Sequence, residues 1–233
     1  MKPDLRFLLT VLFVIVTIPP STARSEVIGP LLEKSTFELG LQWRDLGREF
    51  YEASKQTLEG HDYSLVGRYG LTQLATLSWE LYAGDQDLHN PETIDTRYYL
   101  VGGGLETKIW SGRGVILHTG VHYYELFAFN QDGRNCQKNH HDITAVFLAE
   151  KSWFFHEQQI VAWSGPGYFR HDIEKKRSNL SRSCNGDSWY SSYNWGWTAG
   201  LNLILWKHYQ LYFSAVQVDK FQPRAGIMYR FQD

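Results

Sequence analysis

The sequence lacks the short motifs that would tie it to a familiar chemistry. It contains no Gly-x-Ser-x-Gly elbow, no zinc-binding His-Glu-x-x-His and no phosphate loop, so the commonest nucleophile, metal and nucleotide sites are excluded at the level of motif. The triplet Gly102-Gly103-Gly104 sits inside an alternating pattern with no helix after it. It reads as curvature or close packing rather than phosphate binding. Net charge is small: 23 Lys and Arg against 25 Asp and Glu leave a formal −2, without the basic excess that marks a nucleic-acid partner. Long apolar runs are absent after residue 23, because each is broken by a charged or polar residue within a few positions. That excludes a membrane-spanning helix in this region, which needs about 20 apolar residues.

The one uninterrupted apolar run lies at the start. Lys2 and Arg6 precede FLLTVLFVIVTI, residues 7 to 18, and Ser21, Thr22 and Ala23 supply small residues before Arg24. Charged start, short apolar core and small residues are the pattern of a secretory signal over residues 1–23, cleaved after Ala23. Residues 24–233 remain as a single domain. Cysteine is nearly absent, with only Cys136 and Cys184. In an exported chain a disulfide between them is the expected state, and two free thiols are the alternative.

Aromatic residues are abundant at 15%, with nine Trp and fourteen Tyr. Indole and phenol gather where apolar matter meets water, which includes the girdles of membrane proteins and the sites of sugar-binding sandwiches. The dominant period is two. Phe37, Leu39, Leu41 and Trp43 alternate with Glu38, Gly40, Gln42 and Arg44, and Tyr63, Leu65, Gly67, Tyr69 and Leu71 alternate with Ser64, Val66, Arg68 and Gly70. Such alternation predicts strands with one apolar and one polar face. Ten strands are expected, at 37–45, 62–71, 74–83, 96–110, 115–127, 142–153, 159–171, 191–205, 209–218 and 224–231, with eight to twelve compatible. Pro166 inside the seventh predicts a bulge or a break.

The connections alternate as well. Those at 72–73, 111–114, 154–158 and 206–208 are short, whereas those at 46–61, 84–95, 128–141 and 172–190 are long and polar. Short turns on one side and long loops on the other are the habit of membrane β-barrels. An even strand count puts Cys136 and Cys184 on the same, long-loop side. The chain ends RAGIMYRFQD, where Arg224, Gly226, Tyr229 and Phe231 resemble the C-terminal signal of bacterial outer-membrane β-barrel proteins. The resemblance covers eight residues, and Gln232-Asp233 departs from the commoner ending on the aromatic itself. It implies a closed, all-β, antiparallel transmembrane barrel in the bacterial outer membrane, the last strand pairing with the first. It also implies outer-membrane lipid and lipopolysaccharide as surroundings and the barrel assembly machinery as a partner in biogenesis. A soluble sandwich has the same periodicity; the two differ in whether the apolar faces look outward or inward.

With Val115, Leu117, Val121 and Tyr123 toward lipid, His118 and His122 face the lumen, joined there by Arg68, Glu80 and Glu106. Four residues along a strand span roughly 13 Å, so the two imidazoles do not share a metal, and no cofactor is called for. The dipeptide His-Asp occurs at His61-Asp62, His141-Asp142 and His171-Asp172, each at the expected outer rim. His141 and His171 are equally far from a turn near His156 and approach across adjacent strands. A carboxylate beside an imidazole can orient a general base, which makes His141, Asp142, His171 and Asp172 the catalytic candidates, beside the plainer reading that polar residues end strands at water. Omptins, ten-stranded outer-membrane proteases, also keep acidic and histidine residues at the rim, but no omptin motif is present. Glu174-Lys175-Lys176-Arg177 is a solvated loop or a contact for lipopolysaccharide phosphates. Three functions stay open: a non-enzymatic surface protein with a largely filled lumen and an unidentified surface ligand, a narrow channel for small polar solutes, and a rim-active hydrolase or lipid A-modifying enzyme.

Overall fold

The computed structural model of the chain describes residues 30–51, 55–89, 94–129, 138–175, 189–191, 194–218 and 221–231. Alternating side chains cannot bury both faces of a strand in one small core, and here they close a single sheet upon itself. Ten long strands form the wall: β1 (Phe37–Tyr51), β2 (Lys55–Thr72), β3 (Ala75–His89), β4 (Ile94–Gly112), β5 (Val115–Phe129), β6 (Lys138–Phe155), β7 (Gln158–Lys175), β9 (Trp195–Leu205), β10 (Tyr209–Gln217) and β11 (Phe221–Phe231). A three-residue strand, β8 (Trp189–Ser191), sits at one rim. Each long strand runs antiparallel to its neighbours, and β11 returns to β1 through eight rungs from Phe37↔Phe231 to Arg44↔Arg224. This pairing closes the barrel, so the sheet has no free edge along those rungs.

The expected strands are present, extended mostly toward the loop end. The turn end has the short connections expected, at 73–74, 113–114, 156–157 and 206–208. Arg113 and Gly114 both take positive φ, 53° and 74°, the geometry of a type I′ hairpin turn. At the other end much of the sequence expected as loop is paired strand: β1 continues to Tyr51 opposite Lys55, and β3 to Leu88 opposite Ile94. Polar composition marked these stretches as loops, yet ladder hydrogen bonds are indifferent to side-chain polarity above the apolar belt. The eighth expected strand, 191–205, divides into β8 and β9. Pro166 interrupts the β6–β7 ladder between Val146↔Gly167 and Ala149↔Ser164 without shifting the register, since proline lacks the N–H that a rung requires.

The polarity of the barrel is inverted relative to a soluble protein. Outward on β2 lie Tyr63, Leu65, Tyr69 and Leu71, while the intervening Ser64, Val66 and Arg68 are buried inside. Large apolar side chains such as Leu41, Leu81, Val101, Val121, Leu201 and Ile227 form an outer belt between two aromatic groups. Tyr63, Tyr99, Trp195 and Trp197 stand toward the rim, and Tyr69, Trp110, Trp153, Trp206, Tyr209 and Phe231 toward the turns. Leaving such side chains in water would cost on the order of 1.5–3 kcal/mol each, so the medium that this belt fits is lipid. The belt on β2 spans nine residues from Tyr63 to Leu71, close to the 9–11 that a tilted membrane strand needs. Trp197, which a sandwich would hide between sheets, is 55% exposed.

Candidate functional site: the charged lumen and its rim

Inward-facing positions carry the polar half of each strand, and the barrel gathers them into two charge clusters. Near the turn end, Glu38 of β1 is the register partner of Arg68 on β2 and of Arg230 on β11. Its carboxylate accepts from both, at 3.2 Å from Arg68 Nη1 and 2.7 Å from Arg230 Nη2. Arg68 also donates through Nη2 to Glu106 Oε2 at 3.2 Å. Opposite charges placed directly across strands support the pairing. Glu38, Arg68 and Glu106 are wholly inaccessible to solvent.

The chain leading into β1 completes this cluster. The Pro30 carbonyl accepts from Arg68 Nη2 at 2.6 Å, the Leu31 N–H donates to Glu150 Oε2 at 3.3 Å, and the Leu32 N–H donates to Thr76 Oγ1 at 2.9 Å. Leu32 is buried, and the Ser35 N–H donates to the Gly70 carbonyl at 2.8 Å. Residues 30–36 therefore fold up into the turn end of the lumen as a plug. Beside them a vestibule of about 800 Å³ is lined by Leu31, Glu33, Lys108, Glu150 and Phe154.

The middle of the lumen is filled by rings lying over glycines. Gly102 faces Tyr124 and Gly104 faces His122 across the β4–β5 ladder, as Gly226 faces Tyr212 across β10–β11. A Cβ at any of the three would collide with the partner ring, so Gly102 and Gly104 of the triplet make space for a phenol and an imidazole ring. Ser78 Oγ lies 3.4 Å from His122 Nδ1, and His122 Nε2 lies 3.8 Å from Glu106 Oε1. The residue types are those of a hydrolytic triad, but the separations exceed those at which a base takes a proton. His122 and Glu106 have no accessible surface and Ser78 has 1%, so no substrate carbonyl reaches them. His118 Nε2 lies 3.7 Å from Glu150 Oε2. Among the described residues no group of three or more His, Cys, Asp or Glu converges to hold a metal.

Toward the rim, Arg44 Nε donates to Asp62 Oδ2, and the Arg44 guanidinium lies 3.6 Å over the Tyr82 ring. Tyr124 donates its hydroxyl to Glu80 at 2.8 Å, and Tyr212 donates to Gln42. All five lumen residues expected from alternation, Arg68, Glu80, Glu106, His118 and His122, are fully buried inside. Glu38, Arg44, Asp62, Arg230 and the plug complete the clusters. They share the polar register of the same strands, a signal present in the sequence, but which inward residues meet depends on strand stagger.

At the rim the register sets His141 opposite Asp172 and Asp142 opposite His171. Register partners share a face of the sheet and sequence neighbours do not, so positions 141 and 171 fall on opposite faces, and the expected approach of the two histidines across the strands is not met. His141 accepts or donates at Nδ1 with the Tyr123 hydroxyl, 3.0 Å away, on the side where Tyr123 is 48% exposed. Asp142, one residue on, is buried. Sequence neighbours on a strand take opposite faces, so His141 and Asp142 do not form one site. Asp62, of the first His-Asp pair, is the lumen partner of Arg44. In the closing strand Arg224 turns into the lumen, while Tyr229 and Phe231 lie outward in the lower aromatic group. Cys136, Cys184, the signal segment 1–23 and Lys176-Arg177 lie outside the described residues.

No family model matches the sequence, and no curated protein matches it. Solved structures similar in shape include the translocator domain of autotransporter NalP from Neisseria meningitidis, at 12% identity over 88% of this chain and 90% of that one, with a TM-score of 0.43. The outer membrane protein AlkL gives 9% identity, 91% and 98% coverage and a TM-score of 0.46. The outer membrane protease OmpT from Escherichia coli gives 7%, 89% and 100%, and 0.42. The barrel assignment stands on the pairing and polarity of this chain itself.

Proposed function

We propose that the chain is a non-enzymatic surface barrel of the bacterial outer membrane, with the turn end in the periplasm, the extended strands and their loops outside, and a lumen that does not conduct. The observation that carries this reading is the sealed turn-end cluster. Glu38, Arg68, Glu106, His118 and His122 have no solvent-accessible surface, and residues 30–32 add backbone hydrogen bonds to Arg68, Glu150 and Thr76 beneath them. A passage for polar solutes needs a continuous water column, and the charges here bond to one another instead. The vestibule ends at the plug. The buried Ser78, His122 and Glu106 offer a substrate no approach.

The strands rise well beyond the nine-residue apolar belt, which leaves paired, polar wall and loops for contact with partners or lipopolysaccharide. The rim histidines His141 and His171 and the pair Cys136–Cys184 belong to this outer part, with the disulfide proposed to staple neighbouring loops. Reconstitution into a planar bilayer tests the central point. The folded barrel is expected to be silent, and removal of residues 24–36 is expected to produce conductance steps. Steady steps from the intact folded protein would establish the narrow channel instead. Retention of surface-partner binding after deletion of the loops between β3 and β4 and between β5 and β6 would count against the surface role.

A further inference from the structure

One buried charge in the lumen makes no hydrogen bond, although the carboxylate of Glu80 lies within electrostatic reach of it. Arg224 of β11 is 2% exposed, and its Nε, Nη1 and Nη2 all lack a hydrogen-bond partner. Its register partner across the seam is Arg44, a second buried guanidinium, and like charges directly opposite oppose pairing. Asp62 takes Arg44, which leaves two cations and one anion on this rung. One period of alternation toward the rim, Gln222 is wholly buried with both amide atoms, Oε1 and Nε2, unpartnered. Below, the Tyr212 hydroxyl and Gln42 form a floor, with Gln42 Nε2 also unpartnered. Leaving so many donors buried and unmet is costly, a guanidinium most of all. Each unmet donor suits an anion.

The ladder opens at this same rung. β1 pairs with β11 only as far as Arg44↔Arg224, and next pairs on that side with β8 at Phe50↔Ser191. Among the described residues, positions 45–49 of β1 and 221–223 of β11 have no partner across the seam, and Pro223 supplies no N–H there. Tyr63, the β2 register partner of Trp43, marks the rim-side aromatic group one residue below. The end of the ladder thus lies where aromatic side chains give way to polar wall, the level at which lipid phosphates stand.

We propose that Arg224, with Gln222, Gln42 and the neighbouring Arg44, forms an anion site for the phosphate of a membrane lipid, whose headgroup enters where the β1–β11 ladder ends while its acyl chains stay in the bilayer. Guanidinium donors match phosphate oxygens in geometry and charge. The site is independent of whether the lumen conducts.

The test uses the whole barrel, refolded in detergent without lipid, and three probes: phosphatidic acid, inorganic phosphate, and diacylglycerol, which has the tails without the phosphate. Native mass spectrometry and the heat-unfolding midpoint are the readouts. Wild type is expected to retain phosphatidic acid one-to-one with a raised midpoint, to require far more inorganic phosphate, and to ignore diacylglycerol. Arg224→Gln is expected to weaken phosphatidic acid binding at least about tenfold, the worth of one charge-assisted hydrogen bond, while folding as stably as wild type without lipid. Gln222→Leu provides a second, milder variant, expected to weaken binding without changing the fold, and Arg113→Gln, in a turn at the far end, is expected to bind as wild type does. Equal affinity for inorganic phosphate would overturn the lipid assignment. Unchanged binding in both Arg224→Gln and Gln222→Leu, or none in wild type, would overturn the site.

Discussion

The two ends of the lumen treat buried arginine in opposite ways. Near the turns, Arg68 is flanked by Glu38 and Glu106, and Arg230 shares Glu38. Toward the rim, Arg44 has Asp62 but Arg224 has no hydrogen-bonding partner. Compensation follows the seam. Where β1 and β11 pair rung by rung, opposite charges face each other across it, at Glu38↔Arg230; where the ladder ends, two cations meet. A buried guanidinium hydrogen-bonded to its carboxylate is architecture, and the one left without a hydrogen bond is the proposed seat of an anion.

The comparison breaks hardest at Glu38. Glu38→Ala takes the carboxylate from Arg230 and leaves Arg68 with Glu106 alone, and breaking a buried pair in this way costs about 3–5 kcal/mol. The checking measurement is the urea midpoint of the barrel refolded in lipid-free detergent, expected to fall sharply. Arg224→Met is expected to leave that midpoint unchanged or raise it in lipid-free detergent. Equal losses in the two variants would erase the distinction between the two ends.

A smaller effect comes from the filling between them. Gly102→Val sets a branched side chain against the Tyr124 ring and costs about 1–3 kcal/mol by overpacking, measured in the same unfolding assay. Outside the lumen the effect shrinks again. Tyr123→Phe removes only the contact with His141 at the exposed surface, and a change within about 0.5 kcal/mol is expected. A larger loss there would show that the rim histidine supports the fold.

Much of this architecture was legible because lipid and lumen impose a period of two. That Leu65 and Val66, or Val121 and His122, take opposite faces follows from alternation; which face looks outward, and the closing role of residues 224–231, came from the resemblance of the chain's end to the C-terminal signal of outer-membrane barrels. The outer strand ends were not legible, since above the belt both faces of residues such as Glu59 and Asp87 are polar and the period fades. The plug was hidden for another reason: Pro30 to Leu32 have no periodicity, and only the carbonyl reaching Arg68 reveals their place. Alternation put Arg44 and Arg224 on polar registers but could not show that they share a rung, because that depends on the stagger with which β11 meets β1.

Accessibility of paired cysteine substitutions tests the inverted barrel and its proposed sealed lumen most directly. With Cys136 and Cys184 changed to Ser, Ser64→Cys and Ser78→Cys place near-isosteric thiols in the lumen, and Leu65→Cys and Leu77→Cys place them in the outer belt. In folded barrels the lumen thiols are expected to resist a small water-soluble thiosulfonate until heat unfolding, while the outer thiols react only with a lipid-soluble maleimide. Rapid modification of the Ser64→Cys and Ser78→Cys thiols by the water-soluble reagent in the folded state would contradict a sealed lumen.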